Sequence, residues 1–297
     1  MTTSLQAVWT NRLSAGQLEQ VTGLAARAAA ADGVQPLNEE ATLALRDDSA
    51  RHLVAAGSLG YLQWKPGYRT AQLVVDPEHR RRGIGRGLLG ELAALAPSGS
   101  KGGQPVWGVW AFGDLPAAQG FATALGLEAG RGLLVMERQL AGVTAPQLPA
   151  GLTVRGFEAQ DAAALLEVNA AAFAHHPEQG ALDAAGLAAR MAQPWFDPSG
   201  LLLGFDAEGL AAFHWTKLAE PGIGEVYVIG VAPRAQGRGY GKVLLAAGLA
   251  HLRGAGAERV LLYVDSAEQV AVRMYESAGF HVAHRDVLYG PGHQERP

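Results

Sequence analysis

The chain contains no cysteine. Disulfides, a thiolate nucleophile and thiolate metal ligands are therefore excluded, and the composition suits a reducing cytoplasm, where the protein is expected to reside. An excess of positive charge is missing as well. Lys and Arg number 24 against 28 acidic residues, a net charge of -4, so there is no electrostatic footprint for nucleic acid. No uninterrupted apolar run approaches the ~20 residues of a membrane span. Met1 to Gln6 lack the basic-then-apolar order of a signal peptide. A Gly-Lys-Ser/Thr triplet is absent, which excludes a Walker A loop. His175 and His176 are adjacent, point apart and make a poor metal site. These absences predict neither nucleic acid, membrane nor metal as a partner, and the chain is expected to be a monomer.

Apolar residues and glycine are plentiful. With 297 residues, 48% of them hydrophobic, the chain can bury two cores of ordinary size. Periodicity and turn residues predict a short strand at 5–9, a helix from a Ser14 cap to about Ala31, a short helix at 36–46 and a hairpin of 52–56 with 58–64. A strand at 71–75, a helix with Leu88, Leu89, Leu92 and Leu95 on one face, a strand at 106–110, a helix at 116–125 and a strand at 133–139 follow. Residues 141–150 hold Pro146 and Pro149 with little periodicity, and read as a linker between domains at 1–140 and 151–297. The pattern then restarts. It runs through a strand at 152–155, a helix at 161–173, a hairpin of 201–205 with 210–217 and a strand at 225–231. A helix at 239–253, a strand at 259–264, a helix at 270–277 and a strand at 282–289 complete it.

The two halves are an internal repeat. A shift of 156 lays Pro77 on Pro233, Arg80 on Gln236, Gly83 on Gly239, Gly85 on Gly241 and Leu88-Leu89 on Leu244-Leu245. A shift of 153 lays Gly126-Leu127 on Gly279-Phe280. In each copy a β-branched run ends at a proline, a glycine turn follows, and a helix begins. Such a turn offers backbone N–H groups and a helix N-terminus to an anion, with no Cβ in the way. It suits a phosphate or pyrophosphate. Gly85-Arg86-Gly87-Leu88-Leu89-Gly90 also matches a dinucleotide fingerprint, but it lies inside the predicted helix rather than in the turn before it, so the match is discounted.

Both turns read Gln or Arg, two residues, Gly, one residue, Gly. In the second half Leu261-Leu262-Tyr263-Val264, Ala271, Met274-Tyr275-Glu276 and Gly279-Phe280 follow in order. Together these motifs resemble the GNAT N-acetyltransferases, which bind acetyl-CoA at this turn. The resemblance implies an α/β (α+β) chain of two tandem GNAT domains, each a mixed, mostly antiparallel sheet flanked by helices, with acetyl-CoA as cosubstrate. It implies that Gln236, Gly237, Arg238, Gly239, Tyr240, Gly241 and Lys242 cradle the cofactor, and that the backbone of Ile229, Gly230 and Val231 meets the thioester and pantetheine arm. Glu268, where the family often has asparagine, and Arg273 are further candidate contacts. In the first half the candidates are Leu73, Val74, Val75, Arg81, Arg82, Gly83, Ile84, Gly85 and Arg86.

Acetyl transfer to an amine requires a neutral amine, a stabilised oxyanion, a proton for the leaving thiolate and alignment of both substrates. The resemblance implies a base or water-ordering carboxylate at Glu225 and a thiolate-protonating hydroxyl at Tyr275. Their counterparts in the first half are Arg69 and Ala122, which can do neither task. The second half is therefore expected to be catalytic, and the first to serve as a non-catalytic acetyl-CoA site or as a scaffold.

Two such domains in a chain of this length, with His176-Pro177-Glu178-Gln179-Gly180, Trp215-Thr216-Lys217 and Gly224 to Val231, resemble one tandem branch of the GNAT family. That branch acetylates the cysteinyl α-amine of cysteinyl-glucosaminyl-inositol, a small amino-thiol glycoside, by direct attack in a ternary complex. The resemblance implies acceptor contacts at Glu39, Glu178, Lys217, Glu225 and Tyr263. An α-amine with a pKa of about 8 is roughly one-tenth neutral near pH 7, so the base has a modest task. The alternatives are another small amine or a protein N-terminus as acceptor and, from a different class, a non-catalytic acyl-CoA sensor.

Overall fold

The computed structural model describes residues 7–96, 100–101, 104–105, 107–174 and 179–292. His175, His176 and Glu178 lie outside the described residues. Packing divides the chain into two units, Met1–Leu133 with His284–Pro297, and Leu134–Ala283.

The first unit opens with β1 (Trp9–Thr10) and α1 (Ala15–Asp32). Ser14 starts that helix through a reciprocal capping box: its hydroxyl accepts from the Gln17 N–H, and the Gln17 side chain accepts from the Ser14 N–H. Gly33 ends it in the left-handed conformation. Asn38 caps the short α2 (Glu39–Ala44). The strands β2 (Arg51–Val54), β3 (Gly60–Lys65) and β4 (Thr70–Val75) form an antiparallel meander next to β1. Next come α3 (Ile84–Leu95), a separate short pair β5 (Ser100–Lys101) and β6 (Gln104–Pro105), β7 (Gly108–Ala111) and α4 (Pro116–Ala124). β7 runs parallel to β4. Side chains alternate across β3 as the pleat requires. Tyr61 faces the α1/α2 cluster with Val21, Leu24 and Val74, whereas Leu62 faces the α3 cluster with Leu88 and Leu92.

β8 (Leu127–Gln139) leads into the second unit, with β9 (Thr153–Gly156), α5 (Ala162–Ala172), α6 (Ala184–Met191), β10 (Leu201–Asp206), β11 (Gly209–Glu220) and β12 (Ile223–Val231). After these come α7 (Tyr240–Gly254), β13 (Arg259–Asp265), α8 (Gln269–Ser277) and β14 (His281–Pro291). β9 to β12 are antiparallel neighbours, and β13 is parallel to β12. Each unit thus has the mixed, mostly antiparallel sheet expected from the sequence.

The division differs from the expected domains at 1–140 and 151–297 by its terminal strands. Residues 284–291 of β14 belong to the first unit and pair antiparallel with β7, with Val287 opposite Ala111 and Tyr289 opposite Val109. Residues 134–139 of β8 belong to the second unit, where β8 neighbours β13. Local periodicity identifies both segments as strands but carries no information about which edge they join. Residues 141–150 contain no helix or strand and lie within the second unit. Their start is nonetheless anchored, because Leu140 is fully buried and the Val143 carbonyl accepts from Arg253. The helix α6, capped by Asp183, occupies a stretch for which the sequence predicts no element: Leu187 and Met191 give too weak an apolar stripe among alanines.

Candidate active site

The repeated turn has nearly the same backbone in both copies. A single 3₁₀ turn, Pro77–His79 or Pro233–Ala235, leads to an extended Arg80 (φ -63°, ψ 162°) or Gln236 (φ -61°, ψ 152°). Gly83 (φ 85°) and Gly239 (φ 81°) then cap α3 and α7 in the left-handed conformation. A Cβ on Gly237 or Gly239 would meet nothing within 4 Å, so these residues are needed for their backbone conformation and leave open space before the helix start. A Cβ on Gly241 would make ordinary contact with Val231 and Met274. Tyr240 is buried in the core, which leaves its backbone to face an anion. Arg238 is drawn to Asp206 (3.4 Å), which also binds Arg234 (2.9 Å); the Arg234 hydrogen bond holds the Asp206 carboxyl below the usual carboxylate range. Sequence reasoning did not anticipate that carboxylate, which sits on β10 far from the turn in the chain.

The parallel strands part just beyond the site. The β12–β13 register ends at Val226 opposite Leu262, although β12 continues to Val231 and β13 to Asp265. The β4–β7 register likewise ends at Gln72 opposite Trp110, while β4 continues to Val75. The expected backbone contacts Ile229, Gly230, Val231 and Leu73, Val74, Val75 lie on these parted segments. Gly230 is small for a second reason, since a Cβ there would press on Phe213.

At the base of the opening in the second unit lies Glu225, directly across from Lys217 in the β11–β12 register. Its Oε2 is 3.5 Å from the Lys217 Nζ, and both side chains are largely shielded. A β-bulge follows: Trp215 faces Val228 and Thr216 faces Val226, so Tyr227 is the extra residue. The Lys217 ammonium lies over the rings of Trp195 (5.0 Å) and Tyr227 (5.2 Å). The phenol of Tyr227 accepts from the Arg190 Nε at 3.0 Å. Trp195, Tyr227 and Arg190 were not anticipated from the sequence, because they are scattered over a helix, a loop and a bulge.

Tyr275 is buried on α8 with its ring edge-on to Phe280, 5.8 Å away, and burial pushes its hydroxyl above the ordinary phenol value. Tyr263 is about half exposed on β13. Lys242, Glu268 and Arg273 are exposed, and Glu268 makes no side-chain cap at the start of α8. Glu39 begins α2 in the first unit.

The first unit has a cavity of about 470 Å³ at its own turn, bounded by Val75, Gly83, Gly85, Phe121, Ala122 and Trp110 among others. Ile84 and Arg86 also line it, and Arg86 donates to the Ala124 carbonyl. Arg81 lines the cavity too, whereas Arg82 is an exposed residue of the turn. Arg80 lines the cavity as well and holds a two-pronged ion pair with Asp32, each contact 2.7 Å. Ala122 is buried where the second unit has Tyr275.

Two parted sheets, each with a glycine turn feeding a helix, define a tandem acetyltransferase of the GNAT class. Residues 47–126 match the acetyltransferase (GNAT) domain and residues 172–280 the acetyltransferase (GNAT) family. The chain is 48% identical to the mycothiol acetyltransferase of Nocardioides sp. over 92% of its own length and 96% of that relative's. It is 43% identical to the mycothiol acetyltransferase of Rhodococcus opacus, covering 97% of this chain and 99% of that one. The chain belongs to the mycothiol acetyltransferase family. Among solved structures it shares its fold with a tandem GNAT protein from the clavulanic acid biosynthesis pathway (TM-score 0.67, 20% identity, 98% and 100% of the two chains). It also shares the fold of a GCN5-related N-acetyltransferase from Sphaerobacter thermophilus (TM-score 0.64, 24% identity, 95% and 94%).

Proposed function

We propose that the second unit transfers the acetyl group of acetyl-CoA to the cysteinyl α-amine of cysteinyl-glucosaminyl-inositol, giving mycothiol, by direct attack in a ternary complex. The observation that carries this reading is the asymmetry of the repeat. Glu225 stands at the base of the parted β12–β13 edge beside Lys217, while its counterpart is Arg69, held at a turn with φ 55°. Glu225 takes the proton from the ammonium, directly or through a water, and frees the lone pair for attack on the thioester carbonyl. Backbone N–H groups of Ile229, Gly230 and Val231 stabilise the developing oxyanion and align the pantetheine arm. As the C–S bond breaks, Tyr275 donates its phenolic proton to the thiolate. The glycine turn Gln236 to Gly241, with Arg238, Lys242, Glu268 and Arg273 around it, is the proposed seat of the CoA phosphates and nucleotide. On the acceptor side, Lys217 donates to hydroxyls and the half-exposed Tyr263 is a further contact. Glu39 and Glu178 enter on the family resemblance alone. The protein is proposed to act as a cytoplasmic monomer without a metal.

The first unit is proposed to hold acetyl-CoA without turning it over. Its cavity and turn support binding, and Arg69 and Ala122 remove the proton-transfer groups.

Replacing Glu225 by Gln keeps the shape and removes the base. Turnover is expected to fall by about two to four orders of magnitude, with acetyl-CoA binding retained in a calorimetric titration. Near-normal turnover removes the role. Running cysteinyl-glucosaminyl-inositol beside a panel of simple amines and peptide N-termini tests the acceptor.

A further inference from the structure

We propose that Trp195 and Tyr227 are positioning residues for acetyl transfer, whose rings clamp the Lys217 ammonium and hold it against Glu225. The inference rests on the reading of Glu225 as the group that handles the amine proton. A lysine ammonium is a compact charge on a flexible stem, and a largely buried one needs close partners. The Lys217 side chain is only 10% exposed. Its 3.5 Å separation from Glu225 exceeds the ~2.7–2.9 Å of a tight charge-assisted hydrogen bond, so the carboxylate alone does not fix its direction. Two aromatic faces converge on the same nitrogen, at 5.0 and 5.2 Å, and add a directional restraint to it.

The rings are themselves fixed. Tyr227 is held from below by the β-bulge and at its hydroxyl by Arg190, whose guanidinium also donates to the Gly186 carbonyl of α6 at 3.1 Å. Trp195 packs on Tyr227 at 4.9 Å and on Trp215 at 6.0 Å, and Phe196 meets Trp215 edge-on at 5.8 Å. A chain of contacts therefore runs from α6 through Arg190 and Tyr227 to Lys217 and ends at Glu225. A functional group supported in this way by neighbours whose own rotamers are locked keeps its geometry during turnover.

The test uses the full-length protein labelled at the lysine ε-carbon. The lysines are Lys65, Lys101, Lys217 and Lys242, and Lys217→Met assigns the resonance of interest, which also separates it from Lys65 above the Tyr68 ring. Lys217 should show an upfield ring-current shift that shrinks in Trp195→Leu, where only the Tyr227 ring remains. In that variant kcat/KM for the amine acceptor should fall about 3- to 30-fold, mostly in kcat, while KM for acetyl-CoA stays within about two-fold. Trp195→Phe, which restores a ring face, should recover the shift and most of the lost rate. In a Lys217→Met background Trp195→Leu should cost nothing further, the non-additivity that a purely structural tryptophan would not show. If thermal melting shows Trp195→Leu to be unfolded, Tyr227→Leu takes its place in the same measurements. An ordinary Lys217 shift in the unmodified protein overturns the proposal. So does a diminished shift with unchanged acceptor kinetics, or an equal loss of rate with and without Lys217. Failure of the Glu225 reading is separate, because it appears as normal turnover in Glu225→Gln whatever the lysine spectrum shows.

Discussion

Arg81 holds, with φ 65°, the left-handed conformation that Gly237, its counterpart 156 residues on, holds with φ 78°. The same turn is therefore built once with a side chain and once without. For a non-glycine residue this conformation costs about 1–2 kcal/mol. In the first copy Arg80 restrains the turn through Asp32 and the Val75 carbonyl. In the second copy Gln236 has no such carboxylate clamp in sequence register. Gly237→Ala meets no steric obstacle, so its expected cost is conformational alone, about 1 kcal/mol. Urea unfolding at constant m-value reads that cost, and a raised KM for acetyl-CoA reports distortion of the phosphate cradle. Arg81→Gly should change stability by less than about 1 kcal/mol, because relief of strain is offset by the added freedom of the unfolded chain.

Tyr275 must be protonated to serve as an acid, and burial works in that direction. Its hydroxyl is pushed above the ordinary phenol value, so it stays protonated through neutral and mildly alkaline pH. Turnover should therefore show no alkaline decline from this group up to about pH 9. Tyr275→Phe keeps the ring against Phe280 and removes the hydroxyl with its proton. A loss of about 10²-fold in kcat, with folding intact by circular dichroism, is the expected result. A drop of less than a few-fold would assign Tyr275 to packing.

The order of most elements and the two glycine turns are legible in the sequence because each rests on local spacing, whereas the roles of Glu225 and Tyr275 enter through the family resemblance. Ser14 announces α1 as its cap, and Pro77 and Pro233 mark the strand ends. Gly83 and Gly239 reveal their left-handed caps by position alone. What is not legible depends on non-local pairing. The edge taken by residues 284–291 is decided by hydrogen bonds to β7, more than 170 residues earlier in the chain. The Trp195–Tyr227–Lys217 cluster joins residues from three elements with no common period, so no window of sequence contains it. Asp206, which restrains Arg234 and Arg238, is missed for the same reason.

The cavity at the first turn predicts a second acetyl-CoA per chain. At about 470 Å³ it falls within the range of small-molecule pockets, and it lies where the helix N-terminus and Gly83 can meet a phosphate. Calorimetric titration should give two sites. Ala118 lines this cavity in the first unit, so Ala118→Trp should fill it and reduce the stoichiometry to one while acetyl transfer at saturating substrate persists. A single site in the unmodified chain would make the first unit a scaffold.

His214 predicts an acid-sensitive step in stability. It lies on β11 and is fully buried; its Nδ1 is 2.8 Å from the Leu244 carbonyl of α7 and donates to it. Its Nε2 has no hydrogen-bond partner among the described residues. A neutral imidazole tolerates that arrangement, whereas an imidazolium would bury both a charge and an unsatisfied N–H. Burial pushes the pKa down from 6.5 to about 4. Below pH 6.5 the unfolded chain therefore takes up a proton that the folded chain refuses. The stability associated with His214 is complete above about pH 6.5, declines as pH falls, and levels off near pH 4. Between pH 7 and pH 5 the expected loss is about 2 kcal/mol. His214→Gln can still donate to Leu244 but does not titrate. Urea unfolding of both proteins at the two pH values should show the loss in the unmodified chain and a correspondingly flatter profile in the variant. Gly248→Ala tests the packing behind this, since its Cβ would run into the His214 ring. It should destabilise by about 1–3 kcal/mol at both pH values, and His214→Ala should relieve much of that strain.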